Sequence, residues 1–143
     1  MGVSAAIAIA AVFIWVGLVV GISFIEAPLK FRAAGVTLPI GLGIGRLVFR
    51  ALNAVEVVLA AVLVIALTAG GAPSLTVVAS AVAIALLAAQ LIGVRPVLTK
   101  RSDAVLAGED GPRSSAHLVY VALETLKLLS LVFAGVAALA GRG

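Results

Sequence analysis

The chain has 143 residues, 64% hydrophobic and 11% charged, with a formal net charge of +4 and no cysteine. At a mean hydropathy of +1.32, a soluble domain of this size would expose too much apolar surface, so the composition reads as an integral membrane protein. Disulfide and thiolate chemistry are excluded, and the basic residues match no nucleic-acid module.

A helix that crosses a bilayer needs about 20 mostly apolar residues. The first segment to qualify runs from about Val3 to Ile25 and stops at "EAPLKFR". No basic residues precede it, so it reads as a retained helix rather than a cleaved signal. The connection "LKFRAAGVTLPIGLGIG" is expected to be long, with Pro39, Gly41, Gly43 and Gly45 making its end irregular. "GLGIG" is only superficially a phosphate loop, because it lacks a preceding strand and a Gly-Lys-Ser ending.

The second segment runs from about Arg46 to Thr68 and ends at "AGGAP". That short turn predicts an antiparallel hairpin with the third, from about Ser74 to Val94, which ends at "RPVLTKR". A polar loop follows, with a turn at "EDGP" and Ser114 or Ser115 as N-cap for a fourth segment, about Ser115 to Ala140. The expected fold is an all-α, four-helix transmembrane bundle, one domain over residues 1–143.

Lys30, Arg32, Arg46, Arg50, Arg95, Lys100, Arg101 and Arg113 fall in or beside the two long loops, against Arg142 alone on the other side. The positive-inside rule places both long loops in the cytoplasm and both termini outside. The expected location is the bacterial cytoplasmic membrane.

The polar side chains gather on the same side. Glu26 ends the first segment; Arg46, Arg50, Asn53 and Glu56 enter the second; Gln90 and Arg95 close the third; His117, Tyr120, Glu124 and Lys127 open the fourth. Steps of three and four keep each set on one helical stripe. The other halves of the segments, such as "AAIAIAAVFI" and "VVLAAVLVIALTAG", hold no ionisable group. Lys127 and Glu56 fall near the expected bilayer centre. A lone charge there costs at least about 2.5–3.5 kcal/mol, so Lys127 should pair with Glu56 or Glu124, and Glu26 with Arg46, Arg50 or Arg95.

Lys30, Arg32, Lys100, Arg101 and Arg113 are adequately explained by topology and snorkelling. Glu56, Glu124 and Lys127 have a bland reading too, as an ion cluster that fixes helix register, but intramembrane charges are functional by default. Glu26, Glu56, Glu124 and His117 make no Glu-x-x-His motif, and the surrounding cations would repel a metal, so neither metal nor cofactor is expected. "GLVVG" offers Gly17 and Gly21 as a small-residue face for packing inside the bundle or for a homo-oligomer.

"WVGLVVGISFIEAPLKF", "GRLVFRALN" and "SSAHLVYVALETLKLLSLVFAG" resemble the short four-helix membrane proteins grouped with transmembrane protein 205, distant relatives of the copper-resistance D domain. The shared features are Trp15-x-Gly17, Ala27-Pro28-x-x-Phe31, Gly45-x-x-x-Phe49 and His117 opening the fourth segment. Glu26, Glu56, Glu124 and Lys127 lie outside that pattern. The layout is also similar to that of four-helix anthrone-oxygenase-like proteins. The first resemblance implies a fold rather than an activity, since that family has no settled biochemistry.

Three functions compete: a membrane enzyme or binding protein for a lipophilic small molecule or lipid, a small transporter or channel subunit, and a structural membrane protein. A permeation path normally carries polar groups or water through both leaflets, and one half here has no ionisable group. The first reading is therefore preferred, with a polar pocket in the cytoplasmic half. Glu124 or Glu56 is the candidate general acid or base, with Glu26 and Lys127 as further candidates. Tyr120 and His117 are candidate donors to an oxyanion. Arg46, Arg50 and Arg95, with Asn53 and Gln90, are candidates for binding substrate, the arginines through an anionic head group. Isomerisation, cyclisation and epoxide opening all remain open.

Overall fold

The computed structural model describes residues 2–108 and 115–141. Among them there is no strand, and four helices are each long and apolar enough to cross a membrane: α1 (Val3–Arg32), α2 (Leu38–Thr68), α3 (Ser74–Leu106) and α4 (Ala116–Ala140). The "EDGP" turn, Ser114, Arg113 and Arg142 lie outside the described residues.

Three of these helices run past the ends read from the sequence, and proline chemistry explains how. A proline inside a helix lacks an N–H and pushes its ring against the carbonyl four residues back. α1 widens to a π-helix over Val19–Glu26 just before Pro28, and α3 does the same over Gln90–Val94 just before Pro96. The wider turns accommodate each ring, so the helix continues instead of stopping. Pro39 is tolerated for a different reason. It falls in the first turn of α2, where its N–H would be unpaired anyway, and the Thr37 hydroxyl accepts from the Ile40 amide at 3.4 Å. The expected long, irregular connection is thus only residues 33–37, and Gly41, Gly43 and Gly45 are helical. Ser115 does hold the N-cap position of α4, but its side chain makes no capping bond.

At the opposite end α2 and α3 are joined by a turn in which Gly70 and Gly71 have φ of +87° and +86°, a region that residues with a Cβ rarely enter. Beyond that turn the two helices separate. α4 packs along α3 and α1, α1 packs along α2, and α2 meets α3 again mainly through residues 95–106. The apolar core lies toward the Gly70–Gly71 end, where Trp15, Leu63, Ala83 and Leu131 are fully buried. The outward surface is also apolar, with Ile65, Leu118 and Ile92 exposed by 70% or more.

Two glycines mark close helix approach. A Cβ on Gly41 would lie 2.1 Å from the Phe31 ring, and one on Gly135 would lie 2.6 Å from the Phe13 ring. Gly17 and Gly21 have nothing within 4 Å of a Cβ, so they do not serve packing within the described helices. Gly135→Val is accordingly expected to lower stability by about 1–3 kcal/mol through overpacking. Gly17→Ala should be neutral or stabilise by up to about 1 kcal/mol through helix propensity. Thermal unfolding in detergent measures both.

Candidate functional site

The polar stripes of α2 and α4 meet inside the bundle. Lys127 is fully buried and forms ion pairs with two carboxylates: Glu56 of α2, and Glu124 one turn back at 2.5 Å. Its Nζ also donates to the Gln90 side-chain oxygen at 2.9 Å. Gln90 donates in turn to Glu124 at 3.3 Å, the Trp15 indole N–H donates to Glu56 at 2.7 Å, and the Ser23 hydroxyl donates to Glu124 at 2.7 Å. Two carboxylates, one ammonium and three neutral partners from all four helices thus form one connected network, with the second Glu56 oxygen left unpartnered. A buried charge set of this kind is tolerable only when its members are paired and hydrogen-bonded.

Between this network and the loop-bearing end lies a cavity of about 490 Å³, lined by all four helices. Glu124 and Ser23 border both the cavity and the network. Phe24, Phe31, Leu42 and Leu98 supply apolar wall, while Lys30, Arg46, Arg50, Arg95 and Arg101 supply cations. Exposed Phe31, Arg50 and His117 form its rim.

One wall is built from stacked rings and cations. Phe49 and Tyr120 meet edge to face, 6.0 Å between centroids and 89° between planes. The Arg95 guanidinium lies 4.7 Å from the Tyr120 centroid and 5.3 Å from that of Phe49, and Lys30 Nζ lies 5.7 Å from the Phe49 centroid. Such contacts hold a cation over an aromatic face for about 0.5–2 kcal/mol each. Arg95 also donates to the Tyr120 hydroxyl oxygen at 2.8 Å, which leaves the phenolic hydrogen free to donate to something else.

The expected site residues therefore divide. Glu124, Tyr120, His117, Arg46, Arg50 and Arg95 border the cavity. Glu56, Lys127 and Gln90 sit at 1% exposure or less in the network beyond it and do not line it. Asn53 is half-buried and outside the lining. Glu26 does not pair with Arg46, Arg50 or Arg95. Its ion pair is with Lys30, one turn on, at 3.7 Å, because α1 stays helical beyond Glu26 and brings that ammonium onto the same face. Arg46 pairs instead with Asp103 of α3.

Several lining or supporting residues escape the sequence reading. Lys30 and Arg101, explained there by topology, both line the cavity. The signal for Arg101 was in the spacing: with α3 continued through Pro96, Arg95, Leu98, Arg101 and Ser102 share a face at intervals of three and four. Ser23 and Trp15 carried no local signal, since each meets its carboxylate across the bundle. Among the described residues, no three of His, Cys, Asp and Glu gather as a metal set.

Comparisons with protein-family models, curated proteins and solved structures return no match to this chain.

Proposed function

We propose that this is an integral membrane protein of the bacterial cytoplasmic membrane, which binds a lipophilic small molecule in the cavity and acts on it by acid–base chemistry at Glu124. A membrane setting is supported by the four long apolar helices and by an outward apolar surface far larger than a soluble monomer carries. The orientation follows from charge. Among the described residues, every Lys and Arg except Lys127 lies toward the loop-bearing end, the end the positive-inside rule assigns to the cytoplasm.

The observation that carries the functional reading is the placement of Glu124. Among the described carboxylates it alone borders the cavity, facing space that combines apolar wall with polar donors, the usual make-up of a small-molecule site. Tyr120 and His117 border the same space and can donate hydrogen bonds to oxygen on a bound molecule. Beyond the network, Leu63 and Leu131 are fully buried, which favours a cavity closed at its inner end over a path through the bundle.

Ala27 lines the cavity, and Ala27→Trp would fill part of it. Protein purified in mild detergent is expected to carry an extractable amphiphile, seen by mass spectrometry. The Ala27→Trp variant should carry at least about tenfold less while unfolding within a few degrees of the parent. Equal recovery of the same molecules from both proteins would count against this cavity as the binding site.

A further inference from the structure

We infer that the cavity takes an amphiphile with a phosphate head group, held by Lys30, Arg95 and Arg101. This rests on the cavity being a binding site for a lipophilic molecule, and it specifies the polar end of that molecule.

The first argument is charge balance. Lys30, Arg46, Arg50, Arg95 and Arg101 line the cavity. Among the described residues two carboxylates answer them, Glu26 on Lys30 and Asp103 on Arg46. The network beneath holds Glu56 and Glu124 against Lys127 alone. Leaving His117 out of the count, the described residues around the cavity carry a formal excess of two positive charges. A phosphate monoester carries about −1.5 to −2 at neutral pH, which matches that excess better than a carboxylate.

The second argument is geometric. Lys30 has 9% of its side chain exposed and lies over the Phe31 and Phe49 rings, at 5.6 and 5.7 Å. Its Nζ lies close against Gly45, where a Cβ would come within 2.8 Å of it. The ammonium is thus held in the cavity wall instead of extending to water. Arg95 and Arg101 both border the cavity, and neither forms an ion pair with a carboxylate among the described residues. Guanidinium groups without a carboxylate partner are suited to the several oxygens of a phosphate. Phe24, Phe31 and Leu98 provide the surface for an adjoining hydrocarbon.

The test uses full-length protein in detergent and three probes: a lysophosphatidate, a monoacylglycerol with the same acyl chain, and inorganic phosphate. Binding is read by native mass spectrometry and by ligand-dependent thermal stabilisation. The lysophosphatidate is expected to bind about tenfold or more tightly than the monoacylglycerol. Lys30→Gln and Arg101→Gln should each reduce that preference several-fold, Arg101→Lys should restore part of it, and Ala27→Trp should weaken both lipids. Equal affinity for the two lipids overturns the phosphate head while leaving the cavity as a lipid site. Inorganic phosphate binding as tightly as the lysophosphatidate overturns the amphiphile. Binding of neither lipid overturns the cavity reading together with this inference. Lys30 and Arg101 lie on different helices, so a folding defect in one variant leaves the other to decide.

Discussion

Replacing Lys127 with Met is expected to destabilise the protein by about 3–5 kcal/mol, the cost of breaking a buried ion pair by removing one partner. Lys127, Glu56 and Glu124 are each 2% exposed or less. One ammonium answers both carboxylates and also donates to Gln90. Without it, two carboxylates remain in the interior with no counter-charge, and the Gln90 oxygen loses its donor. Met matches the volume closely enough that little of the loss would come from packing. The double variant Lys127→Met, Glu56→Gln should recover part of the stability, because the remaining carboxylate, Glu124, keeps its bonds from Ser23 and Gln90. Thermal unfolding in detergent, with a check for a monodisperse sample, reads the parent, the two single variants and the double variant. A single variant as stable as the parent, or a double variant worse than the sum of its parts, would show that the ammonium is not what holds these carboxylates in place.

The network that this prediction addresses was partly legible in the sequence, and the reason is periodic. Steps of three and four put Glu124 and Lys127 on one face of α4 and Glu56 on a matching face of α2, so the meeting of these groups followed from helical geometry. Trp15 was not legible in this role, because its partner Glu56 is 41 positions away and the indole reads equally well as packing. The cavity was less legible than the network. Its walls depend on the stretches after Pro28, Pro39 and Pro96, which local rules treat as helix ends or loop. Once those stretches are helical, Lys30 and Arg101 become wall residues instead of topology markers, and Glu26 turns to Lys30. Helix continuity across a proline is decided by a widened turn and by tertiary contact, neither of which a single sequence displays.

Glu124→Gln is expected to lower turnover of the bound amphiphile by about 10²–10⁴-fold, the usual contribution of a positioned acid or base, while the protein stays folded and binds the molecule within a few-fold of the parent. The fold should survive because of the charge count. With Glu124 neutral, Lys127 and Glu56 remain as a balanced pair, and the Gln side chain keeps an oxygen that can accept from Lys127 or Ser23. Glu56→Gln makes the control. It removes the same charge from the same network, but Glu56 does not border the cavity, so turnover should fall only a few-fold. The substrate is the amphiphile extracted from the parent protein, and product is followed by liquid chromatography and mass spectrometry. A common loss in both variants would mean that the charge of the network matters and the position of Glu124 does not. Full turnover by Glu124→Gln would remove the carboxylate from the chemistry altogether and leave the cavity as a binding site.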